Sequence, residues 1–389
     1  MRTKFVAVLS IVCAIVFCGC AKTYYTLNEP VAQGNLEEVK RLIDSGFPPT
    51  IPDYSDHPIL VPNCMPYKTL GPLSLAVKNK DKAMVDLLIA NGALPGPDGI
   101  CVAVANDDRD MVDLLLARGA DILKERVVSV ATDFGRLDLL DYFLSKGAQA
   151  DEDTAHLADT GPQRWYVLRG LDDQTYPLPN LQAGSQAKSL LNSAPFYLAS
   201  AKPLHIAAIR GDVGAATLLV GHGADVNATS VVCVGHPLVG THSYYFRGLT
   251  PLHWALLCGN FDTAQYLLSE GAEVNFETEP EVGPLGQMSA LALAVPEFYF
   301  ETVVIGGDKY IGRCGFFAEV SGSPADRKET IRLLLSHNAT VNRANGQSQA
   351  YSLARRTIYK DGDTDIPDML RAAGAVEMER FVPFPIKFK

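Results

Sequence analysis

The chain of 389 residues predicts an all-α repeat array, a solenoid of about eight or nine stacked helix-turn-helix units with several long loop insertions. Three observations carry that prediction. Nine amphipathic stretches of the type Val-Asp-Leu-Leu-Leu each end at a Gly or, once, an Asn, and an Ala most often follows: the stops are Gly46, Gly92, Gly119, Gly147, Gly170, Gly223, Gly271, Asn338 and Gly374. No such unit can bury its own apolar face, so each needs neighbours. A composition of 47% apolar and 20% charged residues supplies a large core and argues against disorder. The first and last stretches carry extra charge, Glu37, Glu38, Lys40 and Arg41 in one and Arg355, Arg356 and Lys360 in the other, as units with one wet face require.

The clearest copies are K-P-L-H-I-A-A-I-R-G-D-V-G-A-A-T-L-L-V-G-H-G-A-D-V-N-A from Lys202 and L-T-P-L-H-W-A-L-L-C-G-N-F-D-T-A-Q-Y-L-L-S-E-G-A-E-V-N-F from Leu249. Pro203 and Pro251 fall in the first turn of a helix, where a missing N–H costs nothing. Thr250 and His253 tie that turn together. After a turn at Gly211 or Gly259, the second helix sets Leu218 and Leu219, or Leu267 and Leu268, against the first helix and the adjoining unit. Each buried Leu contributes roughly 1.5–3 kcal/mol, so stacking supplies the stability. The stop glycines take left-handed backbone most cheaply.

Both copies closely resemble the ankyrin repeat. Other units drift from that pattern: Ser74 stands at the His position of residues 71–97, and Gly99-Ile100-Cys101 and Val127-Val128-Ser129 replace the T-P-L-H start in the next two. Their second helices, Met111 to Arg118 and Leu137 to Lys146, stay apolar on one face. The segment Asp151 to Asp173 matches least, with Gly161-Pro162 as its turn. The array is expected over residues 31–377, followed by a tail at 378–389. Insertions interrupt it near residues 50–70, 174–200, 229–248 and 296–325. Loops of that length are either functional or disordered. Their aromatic residues, Tyr244-Tyr245-Phe246 and Phe298-Tyr299-Phe300 among them, favour packing on the array or on a partner.

The resemblance also implies where a partner would lie, since ankyrin repeats use the concave face made by loop tips and the last turn of each first helix. Carried onto this sequence, that face holds Lys78, Asn79, Ala105, Asn106, Asp133, Phe134, Ile209, Arg210 and Leu257, with Tyr244, Tyr245 and Phe246 beside it. Polar groups passing into an apolar patch fit a protein-binding groove, and cover of Ile209 and Leu257 by the insertions is the alternative.

The start of the chain is a different object. Arg2 and Lys4 precede an apolar run from Phe5 to Phe17, too short to span a bilayer and of the length of a signal-peptide core. The following Cys18-Gly19-Cys20 resembles the bacterial lipobox, although Phe17 and Cys18 depart from it. Residues 1–19 are expected to leave, Cys20 to be lipidated, and residues 20–30 to form a tether. With Ala21 in place of Asp, the resemblance points to a lipoprotein anchored in the outer membrane of a Gram-negative cell and facing the periplasm. A cleaved signal without lipid is the alternative. Removing Arg2 and Lys4 leaves 32 basic against 44 acidic residues, a net charge of −12, which suits a basic protein and disfavours nucleic acid.

Five of the eight cysteines are neither in the signal nor at the lipid position. Their places along the units suggest Cys64–Cys101 and Cys258–Cys314 bridges with Cys233 left over, or buried thiols instead. Cys233, His236 and His242 have a C-x2-H-x5-H spacing, an incomplete zinc set. No nucleophile elbow, zincin motif, P-loop or dinucleotide fingerprint is present. The sequence therefore reads as a non-catalytic protein-binding lipoprotein without cofactor or small-molecule substrate. An immunity protein neutralising a secreted toxin, such as a lipase effector, is the more specific alternative, and a loop-borne zinc protein or hydrolase the rival.

Overall fold

The computed structural model describes residues 27–49, 71–123, 126–152, 196–234, 244–278, 288–295, 300–305, 308–313, 324–355 and 365–378. The chain divides into two compact units, one of Met1–Val130 with Gln163–Asp173 and one of Ala131–Pro162 with Gln174–Lys389.

In the first unit the paired helices are α1 (Leu36–Asp44), then α2 (Pro72–Lys78) with α3 (Lys82–Ala90), then α4 (Pro97–Ala105) with α5 (Arg109–Ala117), and the division between the units falls within α6 (Val127–Asp133). The second helix of each pair starts where a short polar side chain satisfies a free backbone donor: Asn35, Asp81 and Asp108 accept from the N–H groups of Glu38, Met84 and Met111 at 3.0–3.1 Å. First helices pack on first helices, α2 on α4, while α1 packs on α3 in a second layer. Between them Val39, Val85, Leu88, Met111 and Leu115 are completely buried. Helix α4 begins at Pro97, so Gly96-Pro97 keeps the proline start that the sequence reading took as replaced by Gly99-Ile100-Cys101, and Cys101 lies inside the helix. Residues 27–32 are helical, with Leu27 and Val31 buried, so packing begins before the expected end of the tether at residue 30.

In the second unit α7 (Leu137–Ser145) is followed by the pairs α8 (Pro203–Arg210) with α9 (Val213–Gly221) and α10 (Pro251–Leu257) with α11 (Phe261–Ser269). Then come α12 (Ala290–Leu293), α13 (Pro324–Ser336), α14 (Gln349–Ala354) and α15 (Asp365–Ala372). The first helices α8, α10, α12 and α14 form one layer, and α7, α9, α11 and α13 the other. All eight described helix stops have positive φ, including Asn338 at 63° and Gly223 at 89°; Gly170 lies outside the described residues.

The insertions hold strands that the all-helical reading took for loops. Strands β1 (Phe196–Ser200), β2 (Ser230–Val234) and β3 (Tyr244–Leu249) form an antiparallel sheet in that order, with Tyr197, Cys233 and Tyr245 in register. Strands β4 (Phe300–Ile305) and β5 (Asp308–Arg313) pair as a hairpin. The sheet is tied to the array at its root. Trp254 Nε1 donates to Ser230 Oγ at 2.8 Å, and Ser230 Oγ donates to the Leu249 carbonyl at 2.8 Å. Among the described residues no helix is long and apolar enough to cross a membrane. The signal and Cys20, residues 50–70, most of 151–173, and the tail from residue 379 lie outside the described residues.

Candidate protein-binding surface

The turn between the two helices of a pair ends in the same left-handed residue six times: Gly34, Lys80, Asp107, Gly135, Gly211 and Gly259, with φ between 56° and 71°. Glycine is needed at Gly211, because a Cβ there would sit 2.7 Å from Asn260 Oδ1. Asn260 Nδ2 meanwhile donates to the Ala208 and Ile209 carbonyls at 2.7 and 3.0 Å, joining neighbouring pairs. Lys80 and Asp107 depart from this rule. A side chain in left-handed backbone costs roughly 1–2 kcal/mol, less for Asp, and both side chains are exposed.

Around these tips lies the polar part of the expected surface. Lys78 and Asn79 are exposed at the end of α2, and Asn79 Nδ2 donates to the Ala32 carbonyl at 3.2 Å. Asn106 caps α4 and is half-buried, while Ala105 is buried. Ion pairs run from tip to tip: Lys80 Nζ lies 3.7 Å from Asp108 Oδ2 and Lys82 Nζ 3.1 Å from Asp110 Oδ2. The same unit exposes Leu94 by 77% and Leu123 by 65%, beyond the stop glycines, which the sequence reading did not single out.

The remaining expected surface residues at the ends of first helices are buried, as the covered alternative for Ile209 and Leu257 has it. Asp133, Phe134, Ile209, Arg210 and Leu257 are all 7–8% exposed, because the last turn of a first helix in this unit is packed rather than open. Arg210 Nη1 donates to the Asp133 carbonyl, and Arg210 Nη2 lies 3.1 Å from where a Cβ on Gly135 would stand. Tyr244, Tyr245 and Phe246 belong to β3, opposite Val234, Cys233 and Val232, and not to a loose loop.

Two histidines explain themselves structurally. His205 Nδ1 accepts the Lys202 N–H at 2.9 Å and Nε2 donates to the Ala228 carbonyl at 3.0 Å. His253 Nδ1 accepts the Thr250 N–H at 3.1 Å. Burial draws both imidazoles down to about pKa 4, so they are neutral fasteners. Cys258 is a buried thiol, pushed up to about 12 by burial, and its expected partner Cys314 lies outside the described residues. Cys101 is buried, and Cys64 lies outside the described residues. Among the described residues no three His, Cys, Asp or Glu side chains group to hold a metal ion. Cys233 belongs to β2, and His236 and His242 lie outside the described residues.

Sequence reasoning also missed a ladder. The residue four past a helix stop reaches the next turn: Asp151 Oδ2, Asn227 Oδ1, Asn275 Oδ1 and Asn342 Oδ1 accept the N–H groups of Asp225, Glu273, Thr340 and Val376 at 2.7–3.0 Å. The recurring A-D-V-N, A-E-V-N and A-T-V-N were its visible signal.

A family model for ankyrin repeats, in three copies, matches residues 181–278. Residues 181–278 carry ankyrin repeats. The matched segment includes α8 to α11, where the proline, histidine and ladder asparagine recur together. A solved structure, the human ASB11 ankyrin repeat domain, is similar at 17% identity over 78% of this chain and 97% of that chain, with a TM-score of 0.42. No curated protein matches the chain. Ankyrin repeats generally mediate protein–protein interaction.

Proposed function

We propose that this chain is a non-catalytic ankyrin-repeat lipoprotein that binds another protein, reached by export and held by a lipid on Cys20 to the periplasmic side of a Gram-negative outer membrane. The observation that carries the binding role is the pair of adjacent turn tips at Lys80 and Asp107. There, side chains stand in left-handed backbone where the other four turns use glycine, and exposed Lys78 and Asn79 flank them. Both tips present a charged side chain to water, Lys80 beside its ion pair with Asp108, which supports a polar contact surface at this edge. The acidic balance favours a basic partner. It also favours the more specific form of this reading, in which the partner is a secreted toxin that the array neutralises.

Photo-crosslinkers placed at Lys80 and at Asn106 in the full chain, expressed in its own envelope, test the surface. One specific adduct seen from both positions, lost on Lys78→Glu with Asp107→Lys, supports it; adducts unchanged by that double substitution refute it. Cys20→Ser tests the anchor. It should release the chain from the membrane fraction and abolish incorporation of labelled fatty acid.

A further inference from the structure

We infer that Asn345 is a deamidation site built into the turn that joins the last repeats, converting to aspartate and isoaspartate through a succinimide. The chain has two Asn-Gly pairs, Asn91-Gly92 and Asn345-Gly346. They sit in opposite settings. Asn345 and Gly346 are exposed, and a Cβ at Gly346, whose φ is +77°, would meet nothing within 4 Å. Space for ring closure is therefore open on that side. The Gln347 N–H donates to Asn345 Oδ1 at 3.0 Å. That bond polarises the amide carbonyl and stands where negative charge gathers when a nucleophile adds to it.

In the reaction the Gly346 backbone nitrogen gives up its proton to water and adds to Asn345 Cγ. The Cγ–Nδ2 bond breaks, ammonia leaves, and a second water opens the ring at either carbonyl. No electron is gained or lost overall. The nitrogen is released by opening one exposed hydrogen bond, from Gly346 N–H to the Arg343 carbonyl at 2.8 Å.

Asn91 is held by its helix instead. Its Nδ2 donates to the Leu87 carbonyl at 2.8 Å, and it caps α3 with ψ at 14°. The Gly92 N–H donates to the Ile89 carbonyl at 3.0 Å. Ring closure there requires the last turn of α3 to unwind.

Conversion at Asn345 places a carboxylate close in sequence to Arg343, whose Nη2 donates to Gln349 Oε1 at 2.7 Å and whose Nε lies 3.8 Å from Glu277 Oε1. The isoaspartyl product also adds a methylene to the main chain ahead of Ser348, whose N–H donates to the Val376 carbonyl at 2.7 Å. The modification therefore acts on the attachment of the C-terminal repeat. The test is incubation of the folded full chain in mildly alkaline heavy-oxygen water, with label incorporation followed by peptide mapping and a guanidinium-unfolded sample in parallel. Asn345 should convert roughly tenfold faster than Asn91 in the folded chain, and the two should converge when unfolded. Equal rates in the folded chain, or an Asn345 that stays intact while the unfolded sample converts, would overturn the inference.

Discussion

The two units use the same paired helices but close their turns differently. In the second, buried His205 and His253 fasten the helix starts, and a ladder from Asp151 through Asn342 links one turn to the next. In the first, Ser74, Gly99 and Ser129 occupy the histidine position, and Gly96 and Leu123 stand where the ladder residue would be. The first unit instead leaves Lys78, Asn79, Lys80 and Leu123 facing water. The lesson is that the helices set the repeat, while the residues between them decide whether a region is fastened or left open for contact.

The packing term should be common to both. Leu115→Ala in the first unit and Leu267→Ala in the second remove completely buried side chains and should each cost about 2–5 kcal/mol in denaturant unfolding. A large disparity would break the comparison at its base.

The histidines should separate the units by pH. Their folded pKa lies at about 4, below the ordinary value of 6.5, so the unfolded chain binds more protons between those values. Their stabilisation is complete above about pH 6.5 and is lost as pH falls toward 4, by up to about 3 kcal/mol per histidine. Unfolding followed by probes in each unit should show the second weakening first on acidification. Substituting both histidines by glutamine should flatten that slope.

The ladder comes next in size. Asn275→Ala deletes an acceptor for the Thr340 N–H and a donor to the Asn338 carbonyl, and should cost about 1–2 kcal/mol. The smallest effect has the opposite sign. Lys80→Gly relieves left-handed backbone at the cost of an exposed ion pair with Asp108 and a more flexible unfolded chain, for a net gain of a few tenths of a kcal/mol. If this tip contacts a partner, the more stable variant binds it less well.

The helix stops were legible in the sequence because a left-handed residue is chemically restrictive: Gly46, Gly92 and even Asn338 announce themselves. The strands were not read, although Ser230-Val-Val-Cys-Val234 is a β-branched run bounded by polar residues. Its pairing partners lie outside any repeat period, which is why periodicity passed over it. The sequence left burial of Ile209 and Leu257 open as one of two alternatives and did not suggest that of Arg210, for another reason. An ankyrin position fixes where a residue sits on its own helix, and whether neighbouring chain covers it is a tertiary fact.

Amide hydrogen exchange on the full chain tests the contrast most directly. The Asp225, Glu273, Thr340 and Val376 amides, each held by the ladder, should exchange slowly, and Asn275→Ala should speed exchange at Thr340 while Glu273 stays slow. Unchanged protection at Thr340 in that variant would contradict the claim that the ladder fastens the second unit.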